Sequence, residues 1–326
     1  MKKFPALLMG ALALSLSSFG VQADEFPSRP ISMLVPFAAG GPTDIVARSM
    51  AESMGRAMNN AKIVVETAAG AGGTIAPAKV ARAKPDGYTI LIHHIGMSTA
   101  PTLYRKLPFN PVEDFEHIGL INEVAMTLLV KTEMPVQNIN QFLPYLRTNA
   151  SKISFANAGI GSASHLCGLL FMSALGTDLV TVPYKGTAPA LADLMGGQVD
   201  LLCDQTTNTI PSINAGKVRA LAVTSPQRLS VLPNLPTLDE VGLKGFNVSI
   251  WHGFYAPKGT PKPVIDKLEA ALKAALQDPA IIKRFADLGT EPVPLAKATP
   301  AALKAHLSSE IKRWEPLIKK AGEFAD

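Results

Sequence analysis

Residues 36–50 read PFAAGGPTDIVARSM. The segment leading into them, PISMLVPF, is apolar enough for a strand buried on both faces. Beyond them Val46, Met50, Met54 and Met58 recur every four residues, which makes one apolar stripe on a helix. Between strand and helix lie two adjacent glycines and then Pro42. Proline lacks the N–H that would go unpaired at the first helical position, so it fits there. Gly41 is the expected cap, and Asp44 falls in the first turn, where a carboxylate meets the positive helix end. The same exposed amides could receive a ligand carboxylate together with the Thr43 hydroxyl. Asp44 would then hold the loop or accept from a ligand donor. Taken alone, this loop supports plain capping and binding equally.

The pattern repeats along the chain. AKIVVET reads as a strand, AAGAGGTIAPAKVARAK as a loop and helix, and PDGYTILI as a turn and strand. Strand and helix alternate, which predicts a parallel-rich sheet with helices on both faces. HIGLINEVAMTLLVK reads as extended and long enough to cross into another domain. A second set follows. KISFANAG is a strand, SASHLCGLLFMSALG a helix ended by Gly176, DLVTVPYKG a strand, TAPALADLMGGQ a short helix, and VDLLCD and KVRALAVTS two more strands. FNVSIWHGFYAPKGTP is extended. The tail carries helical runs, of which Leu303 to Lys320 is amphipathic and suited to packing on a domain. The expected fold class is α/β with two lobes and a ligand cleft between them. Residues 24–124 and 247–326 would form one lobe, and residues 125–246 the other.

Residues 1–23 read as a secretory leader. Lys2 and Lys3 precede an apolar run, and Val21-Gln22-Ala23 puts small residues where a leader peptidase cuts, before Asp24. The apolar core is short for a membrane span, and Ser15, Ser17 and Ser18 interrupt its end. An exported, periplasmic chain is expected. The formal charge of +5 is slight, and loss of Lys2 and Lys3 lowers it by two. With no dense Lys/Arg stripe, nucleic acid is not an expected partner. Cys167 and Cys203 both lie in apolar contexts. Free buried thiols are the expectation, with pairing in an oxidising compartment as the alternative.

Two further glycine loops could present amides. In AAGAGGTIA, Gly70, Gly72 and Gly73 permit close backbone approach, and Thr74 can cap a helix. In NAGIGSASH, Gly159, Gly161, Ser162 and Ser164 offer amides and hydroxyls, and His165 could donate to a carboxylate. A simple helix start capped by Ser162 explains the same residues. Tyr184 and Lys185 could face a ligand or merely pack and solvate. Asp204 ends an apolar strand, where a carboxylate is structural or cleft-facing rather than buried alone. His93 and His94 should face opposite sides of their strand. They make a poor metal site, having no third ligand. No GxxxxGK[ST], HExxH or GxSxG motif is present. GIGSAS imitates half of a dinucleotide fingerprint, but its acid, Asp178, precedes the strand it should follow.

FPSRPISMLVPFAAGGPTDIVAR, GAGGTIAPAKVARAKPDGYTILI, LYRKLPFNPVEDF, NAGIGSASH, VPYKGTAPALADLMGGQVD, AGKVRALAVTSPQR, LPTLDEVGL and WHGFYAPKGTP stand in that order. Together they resemble the periplasmic solute-binding component of tripartite tricarboxylate transporters, the Bug family, over nearly the whole mature chain. The resemblance implies a two-lobed receptor, expected to be a monomer, that closes over a small organic anion. The anion would be a mono- or dicarboxylate, delivered to a two-component membrane permease. It also implies no chemical step, no cofactor and no metal. Gly41, Thr43 and Asp44 match the family's first loop, and Gly161, Ser162 and His165 its opposing loop. Phe37, Gly72, Gly73, His93, Ser98, Ile160, Ser164, Tyr184 and Asp204 complete the expected ligand-binding set.

Two stretches depart from familiar members. HHIGMSTAP stands where TNGTHA-like residues are usual, and LLCDQTTNTIP where MFDNLPSALP is usual. Ile95 and Met97 would give an apolar wall and His93 a donor, which points to an aromatic or medium-length carboxylate such as a benzene dicarboxylate. Citrate-like polyacids and acidic amino acids are the alternatives, and Asp204 would favour a ligand ammonium. From other functional classes, a secreted hydrolase with dispersed catalytic groups and a ligand-sensing subunit of a membrane kinase are the competing readings.

Overall fold

The computed structural model describes residues 26–322, 324 and 325. The expected leader therefore lies outside the described residues. The opening stretch folds as its pattern predicts. β1 (Ile31–Val35) runs into a loop, and α1 (Pro42–Ala57) starts at Gly41 as N-cap with Pro42 in the first position. Val46, Met50, Met54 and Met58 are all buried, each contributing about 1.5–3 kcal/mol of apolar transfer.

β2 (Ile63–Thr67) and β3 (Thr89–His94) flank β1 in parallel, with α2 (Ile75–Ala81) between them in sequence. α3 (Gly96–Leu103) follows β3 at once. Its sequence gives little helical signal, because Gly96 and Pro101 both oppose helix formation and tertiary packing overrides them. β4 (Phe115–Val130) is a single long strand. Then come α4 (Ile139–Asn149), β5 (Ser154–Asn157), α5 (Ala163–Leu175), β6 (Val180–Pro183), α6 (Thr187–Met195) and β7 (Leu201–Gln205). α7 (Thr206–Asn214), β8 (Arg219–Val223) and β9 (Ser249–Pro257) follow. The tail forms α8 (Lys262–Leu276), α9 (Pro279–Asp287), β10 (Thr290–Pro292) and α10 (Pro300–Ala321).

The strands form one curled sheet in the order β2-β1-β3-β9-β4-β7-β5-β6, with β8 and β10 also pairing with β4. β4 changes partners along its length. It pairs with β9 through Ala125, with β7 from Met126 and with β8 from Thr127 onward. The chain thus passes from one half of the sheet to the other within a continuous strand. A buried threonine secures the crossing. Thr224 Oγ1 accepts from the Met126 N–H (2.9 Å) and donates to the Val248 carbonyl (2.7 Å). The C-terminal helices return to the first half, with α8 on α1 and α10 on α3 and β4. In α10, Leu303, Leu307, Trp314 and Ile318 are buried, as the amphipathic pattern requires.

The cysteines correct an expectation. Cys167 on α5 and Cys203 on β7 form a disulfide, with Cα atoms 6.2 Å apart, rather than remaining free thiols. An apolar setting does not separate the two states, because α5 packs directly on β7 and brings both side chains to the same buried point.

Candidate ligand cleft

Ligand sites in open α/β sheets form outside the carboxyl ends of the parallel strands. Here β1, β5, β6 and β7 all end at one place, and each is followed by a helix. The N-termini of α1, α5, α6 and α7 converge on a narrow, partly open space of about 10 Å³, room for about one water molecule. Pro42 and Thr43 come from α1, Ser162, Ala163 and Ser164 from α5, Thr187 from α6, and Gln205 from the cap of α7. Each helix start leaves amides without intrahelical partners and carries positive partial charge. Neither lysine nor arginine lines the space. An anion would be held here by oriented dipoles, which replace its hydration without a mobile cation.

The space is also short of partners. Thr187 and Gln205 both line it and both are buried; Gln205 Oε1 makes no hydrogen bond, and the Thr187 hydroxyl has only the Asp204 carboxylate as a neighbouring acceptor. Asp204 supplies the one carboxylate. Its Oδ1 accepts from the Gln205 N–H (2.8 Å) and its Oδ2 from Asn208 Nδ2 (2.6 Å). Burial nevertheless dominates and lifts the carboxyl to about 6, with the Asn208, Gln205 and Thr187 donors pulling the other way.

Two rings form the opposite wall. Phe37 stacks on His94 at 4.8 Å between centroids and 21° between planes. His94 Nδ1 accepts from the Gly96 N–H (2.9 Å). Burial holds its pKa well below the usual value, so the neutral ring carries its proton on Nε2 and is a donor. Strand alternation predicts that only one of the two histidines faces this side, but period two cannot say which. His93 instead turns to the glycine loop. Its Nε2–H donates to the Gly73 carbonyl (3.0 Å) and its Nδ1 accepts from the His94 N–H (2.8 Å). Burial lowers it to about 4.

Of the expected set, Phe37, Thr43, Ser162, Ser164 and Asp204 line the space, joined by Pro42, His94, Thr187 and Gln205. The others build its frame. Gly41 caps α1. Asp44 Oδ2 closes its own loop, accepting from the Gly40 N–H (2.9 Å) and Arg48 Nε (2.8 Å). Ser98 donates to the Ile95 carbonyl (2.7 Å) at the start of α3. His165 donates its N–H to the cap oxygen of Ser162 (3.2 Å), and its Nδ1 accepts from the Gly161 N–H (3.4 Å). Tyr184 donates to Asp193 Oδ2 (2.7 Å). Ile95 and Met97 are fully buried in the main hydrophobic core and do not line the space, so the apolar wall expected of them is not there. Thr187 and Gln205 carried a weak signal in sequence, each standing just after a strand at a helix start.

Gly72, Gly73, Ile160 and Gly161 act where the two halves meet. Tyr104 OH reaches both the Ala71 carbonyl (2.8 Å) and, across the gap, the Ile160 carbonyl (2.7 Å). Burial pushes this phenol up to about 12, which keeps it a donor. Thr99 Oγ1 donates to the Gly161 carbonyl (3.1 Å), and the Ala38 N–H to the Lys185 carbonyl (3.1 Å). Gly72 has φ +57°, and a Cβ there would stand 1.7 Å from the Ile160 oxygen. The conformation described is thus a closed one. A larger hollow beside residues 225–231 and β10 is open, and its cations are already paired, Arg228 with Glu240 and Lys297 with Glu123.

Residues 46–323 match the family described as the tripartite tricarboxylate transporter family receptor. The chain belongs to that family. It is a periplasmic receptor of the Bug type, not an enzyme, and its partner is a membrane permease. The periplasmic binding protein BugD is 54% identical, with a TM-score of 0.90 over 92% of this chain and 100% of that one. MatC of Rhodopseudomonas palustris, solved with malate, is 39% identical with a TM-score of 0.87, covering 90% of this receptor and 100% of MatC. Rpa4515 of R. palustris, solved with adipate, is 33% identical with a TM-score of 0.86, covering 91% and 99%. These likenesses establish the periplasmic-binding-protein fold. Among the described residues of the receptor, no group of three or more His, Cys, Asp or Glu could hold a metal ion, and no helix is long and apolar enough to cross a membrane.

Proposed function

We propose that this receptor binds a short aliphatic dicarboxylate between two lobes and hands it to its permease in the closed form. One observation carries this reading: four helix N-termini and the unpartnered Gln205 Oε1 surround one narrow space without a lysine or arginine. The choice of a short aliphatic acid over a benzene dicarboxylate follows the ligands of two relatives. The malate and adipate of the two R. palustris relatives are acids of this kind. The lobes would comprise residues 24–124 with 247–326, and residues 125–246, and β4 and the Thr224 crossing would serve as the hinge. The ligand-binding residues are Phe37, Thr43, His94, Ser162, Ser164, Thr187, Asp204 and Gln205. Gly41, Asp44, Gly72, Gly73, His93, Ser98, Ile160, Gly161, His165 and Tyr184 support them. Residues 1–23 would be removed on export.

Isothermal titration of ligand-free receptor against succinate, malate, aspartate, adipate, citrate and benzene dicarboxylates tests this. One short aliphatic diacid should bind per chain and the aromatic acids should not. Tight binding of an aromatic acid, with short diacids inert, would overturn the assignment.

A further inference from the structure

One chain of hydrogen bonds runs from the sheet into the cleft, and its polarity can be worked out link by link. Thr290 Oγ1 donates its single proton to the Glu123 carbonyl (2.6 Å), since a carbonyl can only accept. Thr290 therefore accepts from Asn122 Nδ2 (3.1 Å). That fixes the amide, so Asn122 Oδ1 faces His252 Nδ1 (2.9 Å), which must carry the proton. His252 is wholly buried, and burial holds it near 3, so its ring is neutral and Nε2 is a bare lone pair. Thr43 Oγ1 lies 3.3 Å from Nε2 and spends its only proton there. Thr43 lines the ligand space, yet its hydroxyl has nothing left to donate. The sequence reading has this hydroxyl receive a carboxylate; with its proton on His252 it would serve a ligand as an acceptor instead. It can only accept.

We propose that Asn122 and His252 are positioning residues that set Thr43 as a hydrogen-bond acceptor, so that the receptor selects dicarboxylates carrying their own donor, a hydroxyl or an ammonium. This rests on the dicarboxylate reading above and narrows it. The same cleft holds two further acceptors, the Asp204 carboxylate and the unpartnered Gln205 Oε1. The ligand's carboxylates take the helix amides and His94 Nε2–H. An unsubstituted diacid would leave Thr43 facing it acceptor to acceptor, the costly arrangement for buried polar groups.

Isothermal titration with succinate, malate and aspartate reads this directly, since the three share a four-carbon diacid frame and differ in the donor. Malate or aspartate should bind roughly ten- to a hundredfold tighter than succinate, the effect of one unsatisfied buried acceptor. Malate would identify the hydroxyl and aspartate the ammonium. Asn122→Leu frees the His252 tautomer and should bring the ratio within about threefold of unity. Thr43→Val should erase the preference, and Thr43→Ser should restore it. Nitrogen-15 NMR of the wild-type protein should show His252 protonated on Nδ1, a signature that a packing role would not fix. Succinate binding as tightly as both substituted acids, or His252 protonated on Nε2, overturns the proposal while leaving the dicarboxylate receptor intact. Failure of every carboxylate to bind overturns both.

Discussion

Replacing Gly72 with alanine should separate closing from folding. The new Cβ would sit 1.7 Å from the Ile160 carbonyl oxygen and 2.5 Å from the Tyr104 hydroxyl. Regaining a contact of about 3.5 Å requires the opposing loop to withdraw by about 1.8 Å. That movement breaks the Tyr104–Ile160 bond of 2.7 Å and pulls on the Thr99–Gly161 bond of 3.1 Å. At about 0.5–1.5 kcal/mol each, their loss disfavours the closed form by about 1–3 kcal/mol. The lobes must be closed to bind tightly, so ligand affinity should fall roughly 5- to 150-fold. The left-handed backbone at φ +57° adds strain of about 1–2 kcal/mol in either form. Unfolding of the ligand-free protein should therefore shift by only a few degrees. Titration calorimetry with the tightest diacid, and small-angle scattering with and without it, measure the two effects. Affinity within twofold of wild type, with normal compaction on binding, would refute the reasoning.

Other outcomes follow from single contacts. Tyr104→Phe removes the hydroxyl that spans Ala71 and Ile160, and should weaken binding about tenfold by calorimetry with unchanged secondary structure. Thr224→Val leaves the Met126 N–H and Val248 carbonyl without their side-chain partner, and should cost about 1–3 kcal/mol in urea unfolding. Reducing the Cys167–Cys203 bond reopens a segment with a sequence separation of 36, and should cost about 3–4 kcal/mol of stability. Asp204 titrates at about 6 when folded and at 3.8 in its ordinary state, so the folded protein binds the extra proton between those values. Its contribution is therefore present at low pH and lost as pH rises from about 4 to 6, up to roughly 3 kcal/mol. Asp204→Asn should show a flatter stability profile than wild type across that window.

The sequence carried the backbone plan well because local rules wrote it. The four-residue stripe of α1, Pro42 after Gly41, and Gly176 ending α5 with φ +60° are each decided within a few residues. α3 and α7 were harder, since Pro101 and Pro211 sit inside them and packing outweighs propensity. The cleft was only half legible. Thr43, Ser162 and Asp204 stand at strand-to-helix junctions, where position alone suggests a site. The choice between His93 and His94 depends on which face of β3 meets Phe37, a tertiary fact. The role of His252 was invisible, because it depends on Asn122, 130 residues away, and on the direction of each proton.

The most direct test of the central claim is native mass spectrometry of the gently purified mature protein, followed by release and identification of its small molecule. One short aliphatic dicarboxylate per chain is the expected result. Release of an aromatic acid or of an unrelated cofactor would contradict it.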